Sequence, residues 1–225
     1  VSFVDIAGLV KGASRGEGLG NKFLSHIRQV DAVAHVVRCF ASGDITHVEG
    51  SVDPIRDIEI INTELCLADL DSVEKRLDRV SRTAKSGNKE ARAEEAVLEK
   101  AIPARQAKLS EDELELIKDL NLLTLKPTLY VANVSEDEAA TAENDNEYVA
   151  KVKEYAQKEN AGVVVISAKV ESEIAELDEE EANEFLSDLG LDESGLNKLI
   201  KAAFKLLGLM TFLTAGEDEC RAFSF

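Results

Sequence analysis

Cysteines at metal-ligand spacing, long apolar runs and a charged leader are all missing from the sequence. Its three cysteines, Cys39, Cys66 and Cys220, lie far apart and indicate reduced thiols in a cytoplasmic protein. No apolar run approaches the roughly 20 residues that a transmembrane helix needs, so we do not expect a membrane among the partners. No signal peptide is recognisable. The start is strand-like and without methionine, and the end, Cys220 to Phe225, is also strand-like, so we expect a fragment at both ends.

Positive charge is also scarce. The sequence has 26 Lys and Arg against 44 Asp and Glu, a formal net charge of −18. Such a charge argues against a protein that coats nucleic acid, and we do not expect DNA among the partners. The charge is uneven, because residues 74–108 contain ten basic and six acidic residues, a local charge of +4.

Strand and helix patterns alternate along much of the chain. Predicted strands cover residues 1–6, 31–40, 127–133 and 162–167, and predicted helices cover residues 21–29, 111–120, 146–159, 179–189 and 195–207. Ser110 and Glu113 match a capping box at the start of one of these helices. The alternation predicts an α/β fold with a mostly parallel sheet and helices on both faces. Residues 210–225 have the pattern of a further β-containing unit.

Residues 54–123 contain no convincing strand pattern. Apolar residues recur there at spacings of three and four, at Leu70, Val73, Leu77, Val80 and Ala84. The pattern continues less cleanly after a break at Ser86-Gly87-Asn88. It predicts two antiparallel helices that pair as a short coiled coil, with the tip near Gly87.

The first candidate motif is Asp5-Ile6-Ala7-Gly8, directly after the first predicted strand. In P-loop nucleotide hydrolases an aspartate at this place holds magnesium, and the glycine amide contacts the γ-phosphate. The chemistry needs a carboxylate at a rigid strand end and a residue without Cβ beside the phosphate. Taken alone, D-x-x-G also describes a strand that ends in an ordinary turn.

Two more motifs follow later strands. Asn133-Val134-Ser135-Glu136 lies where GTPases have N-K-x-D, but valine replaces the lysine and glutamate the aspartate. The longer carboxylate does not take the same bidentate pose on guanine, so a weaker guanine preference is predicted. Ser167-Ala168-Lys169 matches a loop whose amides and serine contact the base; a plain strand-to-loop junction is the alternative.

The order of the three motifs carries more weight than any one of them. Each follows a predicted strand, at the end where open α/β sheets bind ligands. A dinucleotide-binding oxidoreductase is disfavoured, because Gly16 and Gly18 are followed three residues on by Asn21 rather than by glycine.

Residues 5–24, DIAGLVKGASRGEGLGNKFL, closely resemble the switch region of Obg-related GTPases, and their first ten residues point to the YchF or Obg-like ATPase family. The resemblance covers essentially the whole chain. It implies a partial P-loop NTPase with a doubly wound sheet and an inserted helical hairpin. The implied nucleotide-binding G domain covers residues 1–50 and 125–208, the insertion residues 51–124, and the start of a TGS domain residues 209–225.

The resemblance also implies a function and a site. The expected activity is slow, switch-like hydrolysis of ATP in preference to GTP, with Mg²⁺ as cofactor and the ribosome or a ribosomal subunit as partner. The implied nucleotide-binding residues are Asp5, which also holds the metal, Ile6, Ala7, Gly8, Phe40, Asn133, Val134, Glu136, Ser167, Ala168 and Lys169.

Two of the implied roles have an open alternative. Leu9 stands where Ras-like enzymes have a water-orienting glutamine, so the resemblance gives that catalytic role to His47; a solvent-facing loop histidine is the alternative. Phe40 is implied to stack on the base, and a core phenylalanine is the alternative.

The phosphate-binding motif G-x-x-x-x-G-K-[S/T] is absent from the 225 residues. It supplies the amides and the lysine that hold the β- and γ-phosphates. We therefore expect the chain alone to hydrolyse little nucleotide, and we expect this loop in the sequence before Val1.

A second possible function is a module that binds RNA or the ribosome through the basic hairpin. Its contacts would be Lys75, Arg76, Arg79, Arg82, Lys85, Lys89 and Arg92. A solvated helix face is the alternative.

Overall fold

The structure is a computed structural model that describes residues 1–6, 20–41, 51–101, 109–215 and 220–224. The helices are α1 (Gly20–Gln29), α2 (Pro54–Lys85), α3 (Lys89–Ala101), α4 (Glu111–Leu116), α5 (Ala142–Asp145), α6 (Glu147–Lys158), α7 (Ala168–Ile174), α8 (Glu179–Asp188) and α9 (Gly195–Leu206). The strands are β1 (Val33–Arg38), β2 (Thr128–Asn133), β3 (Gly162–Ile166), β4 (Thr211–Ala215) and β5 (Cys220–Ser224). The chain divides into two compact units, the first with residues 1, 31–58 and 127–225 and the second with residues 2–30 and 59–126.

A three-stranded parallel sheet, in the order β1-β2-β3, forms the centre of the first unit. The central strand β2 is the most deeply buried, as expected for a parallel strand covered on both faces. Separately, β4 and β5 pair as an antiparallel hairpin, which agrees with the β pattern of residues 210–225.

Helices cover both faces of this sheet. Tyr130, Ala132 and Val165 share a buried cluster with Val149 and Val152 of α6. On the opposite face, Gly195 of α9 approaches β3 so closely that an added Cβ would lie 2.7 Å from Cγ2 of Ile166. Because neighbouring residues of a strand face opposite sides, α6 and α9 lie on opposite faces of the sheet. The predicted parallel α/β architecture is confirmed.

The second unit is helical. The main part of α2 and the whole of α3 fold back on each other around Gly87, which has a φ of +95°. Their contacts are antiparallel: Arg76 donates to Glu94 at 2.6 Å, and nearer the turn Arg92 donates to the carbonyl of Ala84 at 3.3 Å. A buried cluster holds the pair together, with members Val73, Val80, Ala84, Ala91, Val97, Leu98, Ile117 and Leu122. The coiled-coil description and the predicted domain boundaries stay predictions.

A polar junction ties three segments of the helical unit together. Asp69 of α2 is 6% exposed, and its carboxylate accepts hydrogen bonds from the amides of Leu123 at 2.9 Å and Thr124 at 2.8 Å. The Thr124 hydroxyl donates to the same carboxylate at 2.8 Å. Arg28, in α1, donates to the carbonyl groups of Leu120 and Asn121 and lies 3.8 Å from the Asp69 carboxylate. The α1 helix is thereby fixed to α2 and to the segment that follows α4.

Some predicted elements differ from the structure. Residues 1–6 have no assigned strand, and Val1 and Val4 are 60% and 62% exposed, so the predicted buried strand is wrong. A strand needs a hydrogen-bonded neighbour, and among the described strands none pairs with these residues.

The helix predicted over residues 111–120 begins with the predicted capping box of Ser110 and Glu113. It ends at Leu116, earlier than predicted, because the chain turns Ile117 into the core and continues as a tighter 3₁₀ turn. Helices α5 and α7 had no predicted counterpart. Among the described residues, no helix is long and apolar enough to cross a membrane.

His35 of β1 gives the first unit a pH-dependent stability. Its ring lies 5.6 Å from that of Tyr130, and burial lowers its pKa from 6.5 to about 4, although Asp57 and Glu159 act in the opposite direction. Because the pKa is lower in the folded state, the unfolded chain binds the proton first, and stability is lost as the pH falls from 6.5 towards 4.

We expect wild type to lose about 2 kcal/mol more stability between pH 7 and pH 5 than His35→Gln does. Urea unfolding at both pH values measures this difference. His26→Gln, at an exposed histidine of α1, is the control and should behave as wild type. Equal losses in wild type and His35→Gln would contradict the expectation.

Candidate functional site

The three parallel strands of the first unit end at one level. Arg38, Asn133 and Ile166 lie side by side in the register of β1, β2 and β3. The pairing continues one residue further, since the amide of Cys39 donates to the carbonyl of Asn133 at 2.7 Å and that of Val134 to Ile166 at 2.9 Å. The segments that follow the strands therefore leave from the same edge of the sheet.

Two direct contacts join the N-x-x-E segment to the S-A-K segment. The side-chain Oδ1 of Asn133 accepts a hydrogen bond from the backbone amide of Ala168 at 2.9 Å. The Lys169 ammonium group forms an ion pair with the Glu136 carboxylate. This partner raises the pKa of Lys169 through its hydrogen bond and its charge. The two predicted motifs are therefore in direct contact at this edge.

Ser167 lies between these contacts, in the N-cap position of α7. It is 4% exposed, and its hydroxyl has no hydrogen-bond partner among the described residues. A buried polar group without a partner is uncommon in a native fold and is a candidate for contact with a ligand. Val134 differs, because its side chain packs in the apolar core behind the site.

Phe40 follows β1 at the same edge. The Arg38 guanidinium lies 4.8 Å from the centre of the Phe40 ring, and its Nε donates to the Phe40 carbonyl at 3.1 Å. Phe40 and Ser135 line an open pocket of about 380 Å³ together with Ala41, Asp137, Glu138, Asn146 and Tyr148. Burial raises the pKa of the neighbouring Cys39 thiol to about 12, so this cysteine is not a reactive thiolate.

Asn146 is a residue of this edge that the sequence reasoning missed. It is 8% exposed and begins α6, where its Oδ1 accepts hydrogen bonds from the amides of Tyr148 and Val149. Its Nδ2 donates to the Cys39 carbonyl and to the Glu138 carboxylate, each at 3.0 Å. An asparagine before a helical pattern is an N-cap signal, but no sequence signal indicates the two bonds to distant segments.

The predicted phosphate and metal residues are only partly described. Ala7, Gly8 and His47 lie outside the described residues, so their predicted roles stay predictions. Asp5 and Ile6 are described in the second unit, with Asp5 exposed. In the part of the chain that the structure describes, no group of three or more His, Cys, Asp or Glu is placed to hold a metal ion.

Comparison with known proteins extends this description. A family model described as a 50S ribosome-binding GTPase matches residues 1–67. The ribosome-binding ATPase YchF of Bacillus subtilis is 60% identical over 230 residues, which cover 99% of this chain and 63% of that protein. The protein of the same name in Escherichia coli O157:H7 is 53% identical over 231 residues, which cover 100% and 62%. The structure of the Schizosaccharomyces pombe YchF GTPase matches with a TM-score of 0.80 and 39% identity, over 97% of this chain and 61% of that one.

The parallel α/β sheet and the similarity to these proteins together define an Obg-related P-loop GTPase fold. Within that class, the chain belongs to the YchF family, because the identity is high over essentially its whole length. The chain spans a little less than two thirds of the length of the relatives that it matches.

Proposed function

We propose that the chain contributes the base-binding part of a nucleoside triphosphate hydrolase that prefers ATP to GTP and acts as a slow molecular switch in the cytoplasm. The observation that carries this proposal is the joining of the two base motifs at the sheet edge, through Asn133 with Ala168 and Glu136 with Lys169. The names of the relatives, ribosome-binding ATPase and GTPase, support the same activity and suggest the ribosome as partner.

In the proposed reaction, water attacks the γ-phosphate in line with the leaving group. Asp5 would hold magnesium, Gly8 would sense the γ-phosphate and His47 would orient the water. An exposed carboxylate such as that of Asp5 is a ligand type that Mg²⁺ prefers, so the residue fits the role. When bound, the ion neutralises charge that develops on the phosphate oxygens. We propose that the phosphate-binding loop lies outside these 225 residues, and that the chain alone is close to inactive.

The base preference is proposed to come from the segment after β2. An aspartate in the N-K-x-D position accepts two hydrogen bonds from guanine with both oxygens. The Glu136 carboxylate is one methylene longer and is already paired with Lys169, so guanine loses much of that interaction. Phe40 and Ser167 would contact the base by stacking and hydrogen bonding, and neither contact requires guanine.

Glu136→Asp tests the proposed base preference. We expect the affinity for GTP relative to ATP to rise about tenfold, because a shorter carboxylate restores bidentate acceptance from guanine. Dissociation constants of both nucleotides, measured by calorimetry with the full-length protein, give the ratio. Glu154→Asp, the same change at an exposed residue of α6, should leave the ratio unchanged. If Glu136→Asp also leaves it unchanged, Glu136 does not set the preference.

The basic tip of the hairpin supports a second function, binding to ribosomal RNA. Arg79, Arg82, Lys85 and Lys89 are exposed, and no ion pair to another described residue is found for them. Arg76, by contrast, is engaged by Glu94 and Asp119. Free cations at a helix tip are suited to contact phosphates.

Reversing two of these charges, Arg79→Glu with Arg82→Glu, is expected to weaken ribosome binding by tenfold or more. It should also lower the slope of log K against the logarithm of salt concentration by the amount expected for about two phosphate contacts. Co-sedimentation of the full-length protein with ribosomes at several salt concentrations measures both effects. Lys153→Glu with Lys158→Glu makes the same charge change on α6 and serves as the control. Equal binding by the two double variants would rule out this surface.

A further inference from the structure

Asn146 links three segments of the first unit through one side chain. Its carboxamide donates to the Cys39 carbonyl and the Glu138 carboxylate at 3.0 Å each, and accepts from the amides of Tyr148 at 2.9 Å and Val149 at 3.0 Å. All four hydrogen-bonding positions of the amide are therefore used. The opposite orientation of the group would place its oxygen against two acceptors, so the network also fixes the orientation.

The two donor bonds lead to the two sides of the candidate base site. Cys39 immediately precedes Phe40, and its own amide donates to the Asn133 carbonyl at 2.7 Å. Glu138 also accepts a hydrogen bond from the Ser135 hydroxyl at 3.1 Å, and Ser135 lies inside the N-x-x-E segment. The backbone next to Phe40 and the segment after Asn133 are thus bound to the same buried side chain.

We propose that Asn146 is a positioning residue for the nucleotide base. Its carboxamide sets the separation between Phe40 and the segment that carries Asn133 and Glu136. The inference rests on the proposed nucleotide-binding function of this sheet edge. Asn146 need not touch the nucleotide itself, since it acts through the two segments that it holds together.

The role of Asn146 as a helix cap can be separated from its role as a bridge. Aspartate caps a helix as well as asparagine does, and its charge is favourable at a helix N-terminus. It has no donor, however, so Asn146→Asp loses both bridging bonds and places a carboxylate beside Glu138 and the Cys39 carbonyl. Serine also caps a helix, but it replaces the two amide donors by a single hydroxyl on a shorter side chain and adds no charge.

The experiment compares full-length wild type with Asn146→Asp and Asn146→Ser. Calorimetry measures binding of ATP and of inorganic tripolyphosphate, a probe that has no base. We expect both variants to bind ATP about tenfold more weakly or worse, with tripolyphosphate binding changed less than twofold. The control is Ser194→Ala, which removes the cap of α9 and should affect neither ligand. If Asn146→Asp does not fold, Asn146→Ser gives the comparison.

Two results would overturn the inference. One is ATP affinity within twofold of wild type in the folded variants; the other is equal weakening of ATP and tripolyphosphate, which indicates a general structural defect. If wild type binds ATP no better than tripolyphosphate, the sheet edge does not recognise the base. That result would contradict the proposed function as well. The wild-type measurement therefore distinguishes the two failures.

Discussion

Replacing Asp69 by alanine is expected to lower the free energy of unfolding of the helical unit by about 3 kcal/mol. Its buried carboxylate accepts hydrogen bonds from the amides of Leu123 and Thr124 and from the Thr124 hydroxyl. Without it, the amide of Leu123, a residue only 2% exposed, loses its partner in a site closed to water. The Arg28 guanidinium also loses its nearest negative charge in this junction. An unmatched buried polar group costs more than the bond itself contributed.

A matched control for this change lies two residues away on the same helix. Asp71 is exposed, and its one ion pair among the described residues is with Lys75, at the i,i+4 spacing, so Asp71→Ala should cost no more than about 0.5 kcal/mol. Asp69→Asn should lower the free energy of unfolding by an amount between those of Asp69→Ala and Asp71→Ala, because the asparagine amide keeps one acceptor oxygen. Urea unfolding followed by circular dichroism measures all three variants. Similar losses for Asp69→Ala and Asp71→Ala would show that the junction contributes little.

Replacing Asn133 by alanine is expected to weaken ATP binding by roughly 10- to 100-fold. Its Oδ1 holds the amide of Ala168, so the change removes a proposed contact to the base and also releases the S-A-K segment. The Ser167 hydroxyl and the Lys169 ammonium group, which follow in that segment, would lose their fixed positions together. A loss of this kind exceeds that of a single surface contact.

Calorimetric titration of the full-length protein with ATP measures this loss. Asn144→Ala, at an exposed asparagine of α5, is the control and should bind as wild type. The melting temperature of each variant shows whether the fold is retained. A folded Asn133→Ala that binds ATP within threefold of wild type would remove Asn133 from the base site.

The strands of the sheet and the helices that cover it could be predicted largely from the spacing of apolar residues. Residues 128–133 and 162–166 are short apolar runs with turn signals, and they form the paired strands β2 and β3. The same reasoning failed at residues 1–6. An apolar run shows that a segment is able to pair, but it does not supply the neighbouring strand that pairing requires.

The location of the candidate site could be predicted from the sequence, but its contacts could not. The strand ends placed the Asn133 and Ser167 motifs at one edge of the sheet, because parallel strands end on the same side. The specific contacts were not predictable, since Ala168 with Asn133 and Lys169 with Glu136 depend on how the two segments turn after the strands.

By itself the sequence determined the parallel α/β class, the capping box at Ser110, the reversal of the helical pair at Gly87 and the family. Each of these depends on local spacing or on residue identity. Only the tertiary structure decided the places of Arg28, Asp69 and Asn146. Their hydrogen-bond partners are distant in the chain. The identity of a polar residue does not show which distant backbone group it will bind once the chain has folded.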